Sequence, residues 1–358
     1  MPQSALWFTG RFYQWGSFMA RSLLDDSRFR LQFAGHETFP LRYGWLKKSY
    51  DAVVAAEAAD QTDMRSIFTD DSAIATFGVG KNMVTSMRHW SLAAGVLHVA
   101  NDEDLGSSSG QIQPTELGRL IFDASGDPYL EHPASLWLLH WHLAATPTRA
   151  TTWYWAFNEL NEPTFPRDTV RARLVRRCDE LREDGRLKTS RITESTLKSD
   201  VLCFIRTYAT KADAGRATQE DALECPLTEL GLVQPVDIGA AFQFRRGPKS
   251  TLPDEVFLYG LLRFWQKLYP TRREFTVEAV THEPGSPGRV FLLDEETVAE
   301  RLARLGDLTK GAVRWDESTG MRQVYAPDVM SIDPMSYIER IYRDAKPRMR
   351  LKSGVKAA

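Results

Sequence analysis

Gly35-His36-Glu37-Thr38 places an imidazole directly beside a carboxylate in a glycine-led turn. On an irregular loop that pair supplies two things at once: a base or water-positioning group in His36 and a ligand for a hard cation in Glu37. Metal-assisted hydrolysis of a phosphodiester needs both. Magnesium is held by one or two carboxylates and keeps several waters, so Glu37 with Asp70 or Asp71 is a sufficient set, and Mg2+ is the expected cofactor. A structural reading of the same residues stands beside this one: His36 and Glu37 cap a helix opened by Pro40 and pair with Arg42 or Lys48. No P-loop, dinucleotide fingerprint, HExxH zinc site or kinase set occurs, so the common cofactor-bearing enzymes find no support.

The second set of chemical residues lies on a helix expected from Lys81 to Leu97. At 3.6 residues per turn, Met83, Met87, Trp90 and Ala94 share one face, with Asn82, Thr85, Ser86 and His89 opposite and Lys81 and Arg88 at the border. An apolar back and a hydrogen-bonding, positively charged front form the layout of a recognition helix. Lys81, Asn82, Ser86, Arg88 and His89 are therefore expected to contact phosphates and bases. Arg42 and the basic turn Arg245-Arg246-Gly247-Pro248-Lys249 extend that surface. An ordinary solvated face is the competing reading; the agreement of turn, helix and hairpin favours nucleic acid. His140 and His142, two apart on a helix, point about 200° from each other and do not chelate one metal.

Those side chains need elements to hold them. A helix starting at Asp70 or Asp71 runs to Gly78, and Gly78-Val79-Gly80 turns the chain into the helix at Lys81. Leu97-His98-Val99 and Gln111-Ile112-Gln113 then flank a Gly/Ser-rich hairpin tip, and Thr115 caps the next helix. Helix, turn, helix, hairpin is the winged-helix order. From Ser135 to about Lys211 the periodicity is helical, with an arginine-rich helix at Arg171 to Arg182. Beyond it come an apolar helix at Asp254 to Leu268, an acidic-capped helix at Thr297 to Leu305, and a hairpin of Val313-Arg314-Trp315 with Gln323-Val324-Tyr325. Pro-Leu-Thr-Glu-Leu-Gly at Pro226 to Gly231 echoes Pro114 to Gly118 and hints at a repeat.

The expected fold class is mainly α with small β-hairpins. Its divisions are an N-terminal extension (1–30), a winged-helix-like DNA-binding module (31–134), a helical middle (135–244), a second winged-helix-like module (245–345) and a basic tail (346–358). Charge agrees with a local rather than global nucleic-acid surface: 45 Lys and Arg against 47 Asp and Glu leave a net charge of −2 over 358 residues. Cys178, Cys203 and Cys225 stand far apart with no CxxC pair, which excludes a cysteine-rich zinc module and fits a reducing cytoplasm. No apolar run reaches the length of a membrane span. Residues Met1 to Met19, broken by Arg11 and Gln14, do not read as a signal peptide, and Met19-Ala20-Arg21 would itself make a natural start.

Phe33-Ala34-Gly35-His36-Glu37-Thr38-Phe39-Pro40-Leu41-Arg42 with Trp45-Leu46-Lys47-Lys48 resembles the opening signature of the domain-of-unknown-function family numbered 4007. Further blocks match in order: Phe77-Gly78-Val79-Gly80-Lys81-Asn82 with Arg88 and Trp90, Glu224 to Leu232, and Arg246-Gly247-Pro248-Lys249 followed by Leu252-Pro253. The resemblance covers roughly residues 30 to 340 and implies bacterial DNA phosphorothioation, with Mg2+-dependent nicking of one strand so that sulfur can enter the backbone. It also implies a cysteine desulfurase, an ATP-pyrophosphatase-like sulfur-transfer protein and an ATPase as partners, besides DNA. It assigns no catalytic residue, so the roles of His36 and Glu37 rest on their own chemistry. A non-catalytic DNA-recognition subunit and a winged-helix transcriptional regulator are the alternatives; the latter ranks last because no zipper or dimer helix is readable.

Overall fold

A computed structural model describes residues 22–344, apart from 62, 65, 101–109, 188–191, 210–224, 237–239 and 318–319. The leader through Met19, most of the hairpin tip after Val99 and the basic tail from 346 lie outside the described residues.

The first module is helical: α1 (Trp45–Ala58), α2 (Ser66–Thr69), α3 (Ser72–Phe77) and α4 (Lys81–Ala93). Gly78, at φ +66°, ends α3 with its amide on Ile74 O, and α4 starts after the extended Gly80. Met87, Trp90 and Ala94 are buried and Met83 is half-buried, as the 3.6-residue spacing predicts. The antiparallel pair β1 (Leu97–Val99) and β2 (Ile112–Pro114) follows, with His98 opposite Gln113 and both exposed between buried neighbours. Thr115 then begins α5 (Glu116–Phe122): its hydroxyl accepts from the Gly118 amide at 2.8 Å and donates to Gly95 O at 2.6 Å, so one side chain serves both the helix start and the strand entry.

Pro40 does not open a helix. The chain from Ala34 to Gly44 is irregular, and α1 begins only at Trp45, after Gly44 at φ +77°.

α6 (Pro133–Ala144) is buried almost all round, which is why it reads as uniformly apolar rather than amphipathic. α7 (Thr151–Asn158), β3 (Thr164–Pro166), α8 (Arg167–Glu183) and α9 (Glu194–Tyr208) follow, then β4 (Val233–Val236) and β5 (Ala241–Phe244). The middle region, expected to be helical throughout, therefore also carries a three-stranded antiparallel sheet in the order β3-β5-β4, with Phe165 opposite Phe242. The last region repeats that plan. After α10 (Asp254–Leu268) come β6 (Glu274–Thr276), α11 (Val277–His282), α12 (Pro287–Val290), α13 (Glu295–Leu308), β7 (Arg314–Asp316) and β8 (Gln323–Tyr325), with sheet order β6-β8-β7; α14 (Met335–Asp344) ends the described chain.

Gly95, Gly231 and Gly311 each turn the chain two or three residues before a hairpin, at φ of +72°, +59° and +83°. A left-handed residue at that point is available to glycine without a Cβ penalty. The Thr-Glu-Leu-Gly echo marks no structural equivalence. Its first copy caps α5 after a hairpin, and its second is a 3-10 turn (Pro226–Leu230) before one.

One apolar core extends from Leu23 to Tyr342. The segment before the first helix is tied to it by two arginines. Arg186 donates to the carbonyls of Leu24, Asp26 and Phe29, and Arg177 bridges Asp25 at 2.7 Å and Glu159 at 2.9 Å. Among the described residues no helix is long and apolar enough to cross a membrane.

The strand-to-helix junction gives a direct packing test. A Cβ on Gly118 would lie 2.2 Å from the Val96 carbonyl oxygen, a backbone atom that has no rotamer to escape into. Gly118→Ala is expected to lower stability by about 1–3 kcal/mol. The reading is a lower urea midpoint with an unchanged slope, and an unmoved midpoint refutes the close approach.

Candidate nucleic-acid interface

The Gly-His-Glu-Thr loop is held in an unusual backbone conformation. Ala34, Glu37 and Thr38 have φ of +59°, +46° and +69°, and Gly35 has +91°. Non-glycine residues avoid this region, and a run of them persists only where surrounding contacts over-determine it. The contacts are visible. Asp200, from α9, is 1% exposed, and its Oδ1 accepts from the Ala34 amide and from His36 Nε2, both at 2.9 Å. Its Oδ2 accepts from the Thr152 hydroxyl of α7 at 2.7 Å. The Gln32 amide and carbonyl engage Thr151 in the same turn of α7.

This geometry moves His36 from the role of base to that of anchor. The Thr38 amide donates to His36 Nδ1 at 3.1 Å, which leaves that nitrogen unprotonated and places the ring hydrogen on Nε2, facing Asp200. Both ring nitrogens are engaged and the side chain is 1% exposed, so His36 does not reach solvent or a phosphate. It does not pair with Glu37, which is exposed at the tip of the loop. Arg42 lies with its guanidinium over the Phe39 and Trp45 rings at 5.7 and 5.5 Å, half-buried.

The loop rests on α4. Trp90 Nε1 donates to Phe39 O at 3.0 Å, and Gly35 approaches His89 so closely that a Cβ would lie 2.6 Å from its Nδ1. That contact narrows the polar face of the helix. Lys81, Asn82 and Thr85 are exposed as expected, but Ser86 is 0% and His89 6% exposed, and Arg88 is half-buried. Ser86 and His89, expected on the open face of the helix, are instead covered by protein. Burial, with His36, Arg149 and Arg88 nearby, pushes His89 down to about 3, so the ring is neutral in the folded protein.

The basic turn divides in the same way. Arg245 and Arg246 are exposed. Lys249 instead spends its three ammonium hydrogens on the carbonyls of Arg245, Gly247 and Leu292 at 2.8, 2.8 and 3.0 Å, which makes it a brace within the turn rather than a phosphate contact. On α8 the arginines face acids: Arg173 meets Glu162, Arg176 meets Glu180 and Arg182 meets Asp179, so that helix is not a free positive stripe. Asp70 and Asp71 are exposed beside the start of α3, and Asp71 makes no side-chain cap. Among the described residues no three His, Cys, Asp or Glu side chains come together as a metal-binding group.

The residue that sequence reasoning missed is Asp200. Its signal was present: Leu197, Val201, Phe204 and Tyr208 form the apolar stripe of α9, and Asp200 sits within that stripe as a carboxylate where a hydrocarbon is expected.

Comparison with known proteins agrees with a family-wide fold. Residues 33–342 match the model of a protein family of unknown function, DUF4007. A crystal structure of magnesium ion-bound SspB superposes with a TM-score of 0.74 at 29% identity, covering 92% of this chain and 93% of that one. A second SspB crystal structure gives 0.72 at 29% identity, covering 90% and 92%. No curated protein matches the chain.

Two measurements test the anchor. Asp200→Ala strips the acceptor from three buried donors and is expected to cost about 3–5 kcal/mol, with the Asp200→Ala/His36→Ala pair costing little more than the first change alone. Simple additivity in that cycle would show that the two residues act independently. The neutral histidines set the pH trend. His89 at about 3, with His140 at about 4 and His142 at about 3, all lie below the unfolded value of 6.5. The unfolded chain thus binds more protons, and the stability they contribute is full above pH 6.5 and lost as pH falls toward 4. The urea midpoint is expected to fall between pH 7.5 and 5, by less in His89→Phe; equal midpoints at both pH values refute the neutral-histidine account.

Proposed function

The chain belongs to the DUF4007 family, and on that premise we propose that it nicks one strand of DNA with Mg2+ in the Ssp phosphorothioation system, as part of phage defence. The observation that supports this most is the exposed Glu37 carboxylate, carried on a loop that Asp200 and His36 hold rigid against α4. Likeness over nine-tenths of its length to magnesium ion-bound SspB supports the metal.

The donor set suits that ion. Magnesium takes one or two carboxylates and retains water, and Glu37, Asp70 and Asp71 are all solvent-exposed carboxylates. Glu37 with Asp70 or Asp71 would hold it; when bound, it supplies charge stabilisation at the phosphate and a water of lowered pKa. The chain's own residues do the rest. Lys81 and Asn82 meet the DNA backbone and bases, Arg42, Arg88, Arg245 and Arg246 extend the contact, and His36 keeps Glu37 in place without touching substrate.

The helices and hairpin of 31–134 and the strand, helices and hairpin of 245–345 read as winged-helix-like modules on either side of the middle region 135–244. The partners in this reading are DNA, a cysteine desulfurase, an ATP-pyrophosphatase-like sulfur-transfer protein and an ATPase, in the cytoplasm. A second reading, a recognition subunit that cuts nothing, uses the same exposed Lys81 and Asn82 and needs no metal.

Relaxation of supercoiled plasmid decides between them. The nickase reading expects Mg2+-dependent open circles, absent in EDTA and lost in Glu37→Ala, while Glu37→Ala still binds DNA. Nicking that survives Glu37→Ala overturns the metal site, and DNA binding with no nicking establishes the recognition subunit. Lys81→Ala is expected to weaken binding to all sequences alike and to flatten the salt dependence by about one unit of log slope.

A further inference from the structure

The polar face of α4 divides into a covered part and an open one. Ser86 and His89 lie beneath protein, whereas Lys81, Asn82 and Thr85 are exposed. At about 100° per residue these three side chains span about 100° of the helix surface, one strip running through the first turn and a half. Nothing crowds its start: a Cβ placed on Gly78 or on Gly80 would meet no atom within 4 Å beyond its chain neighbours.

The strip has a charge suited to a polyanion. The 13 residues of α4 include no Asp or Glu. Lys81 makes no ion pair among the described residues, and Arg88, half-buried, follows two turns later. The face also continues the candidate interface already described, so its occupant is duplex DNA rather than an apolar partner.

The two neutral residues of the strip carry different chemistry. The Asn82 carboxamide makes no hydrogen bond among the described residues, so its adjacent acceptor and donor are both available. That pair fits the major-groove edge of adenine, where N6 donates beside the N7 acceptor. Thr85 donates its hydroxyl back to the Lys81 carbonyl at 3.3 Å, which leaves the methyl group as its uncommitted end. A threonine methyl packs on the C5-methyl group of thymine, which no other DNA base carries. Three residues apart, Asn82 and Thr85 are separated by about 4.5 Å along the helix axis, against a rise of about 3.4 Å per base pair, so they reach neighbouring pairs.

We propose that Asn82 and Thr85 read the base sequence of duplex DNA, Asn82 by pairing with an adenine edge and Thr85 by packing on a thymine methyl in the next pair. Reading stops there, because Ser86 and His89, the next hydrogen-bonding residues along that side, are buried, His89 against Gly35. The inference rests on the reading that α4 faces DNA, and adds which residues choose the sequence and which bases they choose.

The experiment is selection of a randomised duplex library by the full chain, in EDTA so that no strand is cut, followed by titration of the selected duplex. Replacing the read A·T pair by G·C is expected to weaken wild-type binding about tenfold or more and to leave Asn82→Ala binding unchanged. Replacing the read thymine by deoxyuridine removes only a methyl group, and is expected to weaken wild-type binding about threefold and Thr85→Ser binding not at all. Both residues are exposed and uncharged, so the urea midpoint and the slope of binding against salt stay as in the wild type. That sets base reading apart from a loss of fold or of phosphate contacts. A sequence preference that both variants share with the wild type, or duplex binding with no preference, overturns the inference and leaves DNA binding standing. A wild-type chain that binds no duplex overturns the DNA reading itself, and the inference with it.

Discussion

The loop at the front of this molecule depends on one buried carboxylate. Asp200 accepts from the Ala34 amide and the His36 ring of one loop and from the Thr152 hydroxyl of α7, two stretches far apart in the chain. A carboxylate so deeply buried is tolerated only because its oxygens are satisfied. The same contacts offset backbone strain, since left-handed conformations at Ala34, Glu37 and Thr38 cost about 1–3 kcal/mol each. Neither the charge nor the loop is stable alone. Together they form a platform from which the exposed Glu37 carboxylate projects.

The rest of the fold repeats one device. In the middle and last regions a strand leads into helices and then a hairpin whose second strand returns beside the first, giving β3-β5-β4 and β6-β8-β7. Each strand is three or four residues long, so the sheets do little by themselves. They act as clamps that set the angle between helices. Phe165 against Phe242, and Phe275 against Val324, put the inner face of each sheet into the common core.

What the sequence made legible was local. The end of α3 at Gly78, the buried face of α4, the Thr115 cap and the span of α10 follow from spacing and turn chemistry within a dozen residues. β3 and β6 escaped because three residues are too few to display a period of two, and each runs straight into a helix. The burial of Ser86 and His89 was illegible for a different reason. A helical wheel knows one packing partner, and here the loop at Gly35 covers α4 from a second side. His36 was misread because its partner lies 164 residues away, and Lys249 because a lysine in a basic turn looks the same whether it faces phosphate or three carbonyls.

Pairing, more than composition, therefore decides where this nearly neutral chain is positive. Arg173, Arg176, Arg177 and Arg182 on α8 have acidic partners, Arg301 and Arg304 share Asp254, and Lys249 is consumed by backbone. Among the cations that remain, two sets stand by opposite ends of one helix. Lys81 stands at the start of α4 with no ion pair among the described residues, and Arg263 and Lys267 stand by its far end inside a cavity. The first position is open and shallow, where a long polyanion can lie across it and be held by many weak contacts. At the second, Arg263 and Lys267 are exposed on the wall of a cavity that Trp141 and Phe264 also line. Charges of the same kind thus stand in two different surroundings, one at the open start of a helix and the other on a cavity wall.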